Sequence, residues 1–293
     1  MVRNVFVIAG NEFGNLARSK LMLITGAIYF LLFAKCLIEL RPPGDEAYTQ
    51  TLFYYHMLGG KDSDYYTGIM LVNIMHVLTF YGSFLGIILG VCTVAIERYG
   101  NTLNTLVVKP LYRDTIINGK LLGCSMFILS VFVVTILAYT GYITIAWGEA
   151  FSPLAGEYLI RLPIVALISL IYVLMFFSAA LLISLLFTDL AFALILSTIF
   201  KFFMIDSLSG EISGKLSGLL GWSVVNPPFL EYIPDGIMSS IFKGPVQADS
   251  ILNPASDLLS TLCAALPNIV KLATYVLVVI VVSYIAFLRR DVT

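Results

Sequence analysis

The chain has 293 residues, of which 59% are hydrophobic and 12% are charged, and its formal net charge is −1. Soluble domains carry about 25% charged residues, so this composition excludes an ordinary soluble protein and indicates a membrane protein. The near-zero net charge, without a long basic tract, also excludes a nucleic-acid-binding protein.

The four cysteines show no pairing pattern. Cys36, Cys92 and Cys124 fall inside or at the ends of apolar runs, and Cys263 lies near the last run. The sequence has no C-x-x-C motif and no spacing typical of metal ligands. We therefore expect free thiols and no metal site.

Residues 1–18 predict an amphipathic helix. Apolar residues recur at spacings of three and four, at Val2, Phe6, Ala9, Phe13 and Leu16. Glu12 and three asparagines lie off this stripe. Such a helix would lie in the membrane interface. The alternative is that these residues form the first polar turns of a membrane span.

Apolar runs predict an all-α polytopic membrane protein with six transmembrane helices, since roughly 20 helical residues cross a hydrocarbon core of about 30 Å. The predicted spans are residues 21–40, 67–96, 118–147, 159–187, 190–205 and 269–288. Pro163 falls in the first turn of the fourth span, where its missing N–H costs least. Thr188 and Asp189 predict a tight turn before the fifth span, and Lys201 flanks that span's outer end.

The positive charges predict that both termini are cytoplasmic, because basic residues concentrate in short inner segments. The inner segments contain Arg3, Arg18, Lys20, Arg98, Lys109, Arg113, Lys120, Arg289 and Arg290. The longer outer segments contain Arg41, Lys61, Arg161, Lys215, Lys243 and Lys271.

The outer segment 206–267 is rich in proline and contains apolar pieces that are too short to span. Residues 216–225 and 258–266 are examples. We expect interfacial or re-entrant helices between spans five and six.

A few polar and small residues inside the spans are candidates for packing or function. Gly82, Gly86 and Gly90 recur every four residues and would let another helix approach closely, either within the chain, which we favour, or between copies. Asn73 and His76 are possible polar pathway residues, although an interhelical hydrogen bond is the commoner role. Lys35 and Glu39 share a helix face, where snorkelling to the headgroups is commoner than a buried functional pair.

Residues 97–120 form a polar segment between two long apolar runs. The apolar spacing from residue 102 to residue 108 predicts a short helix that ends before Pro110. A rigid segment attached to two spans would transmit a push from a soluble partner into helix tilt. The alternative is a solvated loop that its positive charges keep on the inner side.

This segment resembles the inner loop of the ABC type-2 permease family. The matching residues are Glu97, Arg98, Thr102, Leu103, Leu106, Pro110, Arg113, Ile116, Gly119, Lys120 and Leu121. Glu12-Phe13 with Arg18-Ser19, Asn226-Pro227 and residues 287–291 are similar to other parts of the family pattern, so the resemblance covers the whole topology.

The resemblance implies a single permease domain over residues 1–293, in a subunit of an ATP-binding-cassette exporter of the plasma membrane. It implies a dimer with a second copy or a homologous permease, surrounded by the lipid bilayer. It also implies that the inner coupling loop, residues 97–120, binds cytosolic ATPase subunits that hold ATP and Mg. The chain lacks G-x-x-x-x-G-K-[ST], so we expect a noncatalytic subunit with no cofactor of its own.

Other functions remain open from the sequence. A stand-alone ion-coupled transporter would need intramembrane carboxylates that face a cavity, and the span centres contain almost none. A regulatory or assembly subunit with the family fold and no pathway is a further alternative. A membrane enzyme is disfavoured, because there is no H-E-x-x-H motif and no pair of intramembrane aspartates. The apolar, aromatic composition favours a lipid-like, peptide or hydrophobic small-molecule cargo over a bare ion.

Overall fold

The computed structural model describes residues 2–40, 61–99, 113–187, 189–204, 231–243, 247 and 250–289. Part of the predicted coupling loop lies outside the described residues, namely Thr102, Leu103, Leu106 and Pro110. Residues 205–230 of the predicted outer segment lie outside them too.

All regular structure in the described part of the chain is helical. The α-helices are α1 (Val2–Arg18), α2 (Lys20–Glu39), α3 (Asp62–His76), α4 (Gly82–Tyr99), α5 (Arg113–Trp147), α6 (Ala155–Leu186), α7 (Leu190–Phe202), α8 (Pro234–Phe242) and α9 (Leu258–Arg289). A π-helical turn, Val77–Tyr81, joins α3 to α4, and a short 3-10 turn, Gly148–Phe151, follows α5. We call the end of the bundle where α4 ends and α5 begins the proximal end. The end at Gly148–Phe151 is the distal end.

The fold is that of an all-α polytopic membrane protein. Among the described residues, five segments are long and apolar enough to cross a membrane, namely α2, α3 with α4, α5, α6 and α9. Helix α7 has 13 residues, which rise about 20 Å and fall short of a core of about 30 Å. The sixth span therefore stays a prediction. Leu31, Leu137 and Leu277 are 70%, 67% and 62% exposed, so outer faces of α2, α5 and α9 suit contact with lipid.

Two of the predicted helix limits are wrong, and both involve proline. Residues 258–266 are not a separate interfacial helix, because they form the start of α9, which continues through Pro267 to Arg289. The predicted outer segment thus ends at residue 257. Helix α6 begins at Ala155, which places Pro163 inside the helix rather than in its first turn. Both prolines lie on exposed positions, and membrane helices tolerate proline where the freed backbone groups find other partners.

Helix α6 occupies the centre of the bundle and packs against α3, α4, α7 and α9. Gly82, Gly86 and Gly90 face it from α4, so this ridge packs within the chain. A Cβ atom on Gly86 would lie 3.0 Å from Val173 Cγ1. A Cβ atom on Gly90 would collide with the backbone oxygen of Phe177, so the two helix backbones meet most closely there.

Asp189 forms the predicted turn between α6 and α7, while its neighbour Thr188 lies outside the described residues. Asp189 Oδ1 accepts hydrogen bonds from Ala191 N at 2.8 Å and from Phe192 N at 3.1 Å. This cap satisfies N–H groups that have no partner within the helix, which explains why α7 begins at Leu190.

Lys201 lies in the last turn of α7, at the end of the fifth predicted span. It is fully buried, and its Nζ donates a hydrogen bond of 2.7 Å to the carbonyl oxygen of Phe80. The same nitrogen lies 3.1 Å from the centroid of the Phe84 ring. Phe80 belongs to the π turn, halfway along the continuous α3–α4 helix. Lys201 thus joins α7 to the middle of that helix.

Arg161 ties the segment before α9 to α6, and its side chain is almost fully buried. Nη1 donates to Ile251 O at 2.9 Å, and Nη2 donates to Pro254 O at 3.2 Å and to Ser256 O at 2.6 Å. Its Nε lies 3.4 Å from Glu157 Oε2. Arg161, which was counted from the sequence as an outer positive charge, is therefore buried and holds residues 251–256 against α6.

Candidate coupling site at the proximal end

Helix α1 lies against the proximal end of α5, over two glycines spaced four residues apart. A Cβ atom on Gly119 would lie 2.6 Å from Ile8 Cγ2, and one on Gly123 would lie 2.7 Å from the carbonyl oxygen of Ala9. Small residues at this spacing let two helix backbones pack closely. Gly119 belongs to the predicted coupling loop. Gly123 was not among the predicted residues, although its spacing from Gly119 repeats that of the α4 ridge.

The predicted apolar face of α1 is only partly right. Ala9 and Leu16 are buried, but Phe6 is 60% exposed. Glu12, which was assigned to the polar side, lies on the face that packs against α5. The error arises because the packing face was assigned from apolar residues alone, whereas a buried carboxylate with a partner belongs to it too.

The partner of Glu12 is Lys120, and together they form a mostly buried ion pair. Lys120 Nζ lies 3.2 Å from Glu12 Oε2, and the side chains are 9% and 15% exposed. Removing either group would leave the other charge buried. The pair therefore fixes α1 to the first turns of α5, at the last residue of the polar segment 97–120.

Several helices meet beside this ion pair. Lys120 borders a small cavity of about 20 Å³ whose other walls are Thr93, Val94, Ile117, Leu181, Leu185 and Phe287. These residues come from α4, α5, α6 and α9. The side chains of Thr93 and Cys124 also lie 3.2 Å apart, which links α4 to α5. A displacement of the start of α5 would thus reach the proximal ends of three other helices.

The structure leaves the predicted ATPase contact untested. Glu97 and Arg98 lie in the last turns of α4, and Arg113 begins α5, but their side chains are outside what the structure describes. Gly119 and Lys120 are the two predicted coupling residues with described side-chain surroundings, and both face α1.

The other candidate polar residues lie away from the proximal end. Asn73 Oδ1 is buried and accepts no hydrogen bond from the described residues, so the interhelical bond expected at this position is not formed by that oxygen. The His76 ring stacks on Phe80 with 5.2 Å between ring centroids. Lys35 and Glu39 form an ion pair of 3.7 Å whose side chains are 67% and 62% exposed, as snorkelling side chains would be.

We expect Lys120→Met to lower the free energy of unfolding by about 2–4 kcal/mol, because Glu12 would remain as an unpaired, mostly buried charge. The free energy can be measured by SDS titration in mixed micelles. Lys35→Met is the matched control, since an exposed pair contributes about 0–1 kcal/mol.

The reversed pair Glu12→Lys/Lys120→Glu should recover part of the loss, because it restores the opposite charges. A Lys120→Met variant as stable as the Lys35→Met control would contradict the assignment of this pair as a buried link.

The match to known proteins covers nearly the whole bundle. A family model described as ABC-2 family transporter protein matches residues 6–292. Comparison with curated proteins gives no significant match. The match includes α2 to α9 and nearly all of α1. The chain therefore belongs to the ABC-2 family of transporter proteins and is a multi-pass membrane permease of the ABC type.

Proposed function

We propose that this chain is a noncatalytic permease subunit of an ABC exporter in the plasma membrane. It works as a dimer, with a second copy or a homologous permease, and separate cytosolic ATPase subunits bind ATP and Mg. The observation that carries the proposal is the family match over residues 6–292, and the buried Glu12–Lys120 pair, which ties α1 to the start of α5, supports coupling at the proximal end.

The proposed mechanism begins where α4 and α5 meet the coupling loop. A push on the loop moves the start of α5 together with α1, because their backbones touch at Gly123 and their charges pair at Lys120. Helix α4, which also ends at the loop, would pass the movement to α6 through the close contact at Gly90. ATP binding by the partner would favour one packing of the two permease halves over another and so switch access to the pathway.

The proposal requires that the proximal end is cytosolic. In a Cys263→Ser background, Lys109→Cys in the coupling loop should react with a membrane-impermeant maleimide only from the cytosolic side. Glu149→Cys, on the exposed distal turn, should react only from the opposite side. Labelling of position 109 from outside would rule out contact with a cytosolic ATPase.

We expect Arg113→Glu to weaken the complex with the ATPase about tenfold, or about 1.4 kcal/mol, because it reverses a charge at the start of α5. The measurement is MgATP hydrolysis by the complex purified from native membranes through a tag on this chain, with the nucleotide-binding chain identified by mass spectrometry.

Lys35→Glu, at the distal end of α2, serves as the control and should leave hydrolysis unchanged. If the wild-type protein brings down no ATPase, the assignment as an ABC permease subunit fails. Equal recovery with Arg113→Glu would instead reject this part of the coupling loop as the docking site.

A further inference from the structure

A cleft of about 690 Å³ lies between α3 and α8. One wall is a stripe of α3 and the π turn, made of Val72, Met75, His76 and Thr79. The facing wall is a stripe of α8, made of Asp235, Met238, Ser239 and Phe242. Both stripes follow the spacing of a single helix face. Tyr172 of α6 also borders the cleft. Ligand sites in proteins commonly enclose about 300–1,000 Å³, so this cleft has the volume of a binding site.

The cleft persists because α8 is attached through its other face. Ile237 and Ile241 on that face are fully buried. Asn268 Nδ2 of α9 donates to Ser240 Oγ at 2.9 Å, and Ser250 Oγ donates to the carbonyl oxygen of Phe242 at the helix end. These contacts position α8 from the side of α9, so the stripe that faces α3 does not close the gap.

The charged groups of the cleft lie at opposite ends of α8. Asp235 is in its first turn and Lys243 is its C-terminal cap. The two residues are eight positions apart, which corresponds to about 12 Å along a helix axis. Thioether, aliphatic and aromatic side chains line the space between them, including Met75, Met238 and Phe242. The cleft therefore offers an anionic end, an apolar middle and a cationic end.

We propose that this cleft binds a short apolar peptide with free termini, whose ammonium group lies at Asp235 and whose carboxylate lies at Lys243. An extended peptide of three or four residues measures about 10–14 Å, which matches the distance between the two charges. The peptide side chains contact the methionines and Phe242, and the Gln247 carboxamide at the cleft supplies a hydrogen-bonding group for the peptide backbone. The inference rests on the proposed transport function, because the peptide would be the cargo.

The charge spacing argues against a zwitterionic phospholipid as the occupant. In a phosphatidylethanolamine headgroup a short ethylene linker separates the ammonium from the phosphate, so one headgroup does not reach both Asp235 and Lys243. An extended peptide places its two charges at its two ends and its apolar groups between them, which is the order found in the cleft.

The test uses the full chain in phosphatidylcholine nanodiscs and the peptide Leu-Val-Phe-Leu. We expect N-acetylation of the peptide to weaken binding to the wild-type protein about tenfold, because the ammonium loses its carboxylate partner. Asp235→Asn should weaken binding of the free peptide by a similar factor and should bind free and acetylated peptides equally. Lys243→Gln should likewise weaken binding of the free peptide, and this variant should bind the free peptide and its C-terminal amide equally.

Glu149→Gln, on the exposed distal turn, is the matched control and should keep wild-type affinity and wild-type sensitivity to both modifications. Ser239→Trp should abolish binding by filling the cleft from an exposed position of α8. Recovery of the ATPase complex should be the same for all these variants, since none of the substituted residues belongs to the proximal end.

The inference is overturned if free and acetylated peptides bind the wild-type protein equally, or if no peptide binding is detected at millimolar concentration. The inference is also overturned if the Asp235→Asn variant still binds the acetylated peptide more weakly than the free peptide, because another group would then hold the ammonium. Loss of peptide binding when phosphatidylethanolamine is added to the nanodisc would identify a lipid as the occupant. Any of these results with an intact ATPase complex leaves the proposed permease function standing.

Discussion

Arg161→Met is expected to lower the free energy of unfolding by about 3–5 kcal/mol, because it removes the donors of a buried hydrogen-bond network. The carbonyl oxygens of Ile251, Pro254 and Ser256 would lose their bonds to the guanidinium group. SDS titration measures the loss, and limited proteolysis should show earlier cleavage between residues 250 and 257.

Arg161→Lys is the informative companion variant. It keeps the positive charge, but a single ammonium does not reproduce the planar fork that reaches three carbonyl oxygens, so its stability should lie between those of Arg161→Met and the wild type. If Arg161→Met unfolds at the wild-type SDS fraction and resists protease equally, Arg161 does not clamp this segment.

Gly90→Val is expected to lower the free energy of unfolding by about 3 kcal/mol or more, because the new side chain would force α4 away from α6. The nearest atoms to a Cβ at this position are Phe177 O, Ala180 Cβ and Leu181 N. Most of these are backbone atoms, which a side-chain rotation does not move.

Gly141→Ala on α5 is the matched control, because a Cβ atom there would meet nothing within 4 Å. This substitution should stabilise the protein by up to about 1 kcal/mol, since alanine favours the helix more than glycine does. The free energy of unfolding should therefore fall in Gly90→Val and rise in Gly141→Ala. A small effect of Gly90→Val would show that α4 and α6 separate at little cost.

The sequence predicted the helical membrane fold because long apolar runs and polar breaks determine it locally. The break at Asp189 was readable, since one side chain forms the turn by capping the next helix. Proline was a less reliable guide. Pro267 was read as a boundary, but α9 continues through it. A proline leaves a carbonyl oxygen of the preceding turn without its N–H donor. Its effect depends on whether other groups bond to that oxygen, and these groups are not adjacent in sequence.

The buried charges were less predictable than the helices. Lys201 and Arg161 were read as charges near span ends, yet both donate to backbone carbonyl oxygens of residues far away in the chain. A backbone carbonyl has no sequence signature, so no pattern marks such a partner. The proximal site was predictable in part. Gly119 and Lys120 were selected from the resemblance, whereas the contact of Lys120 with Glu12 depends on how α1 folds back over α5.

The π turn at Val77–Tyr81 has a consequence for the two faces of the helix that contains it. A π turn holds about one residue more than an α turn, and each residue of an α-helix advances about 100° around the axis. Deleting one residue there would rotate α3 by about 100° relative to α4 and move His76 out of the cleft. The glycine ridge would stay on α6. A single inserted residue thus sets the rotation of α3 relative to α4, so that one borders the open cleft while the other packs against a neighbouring helix backbone.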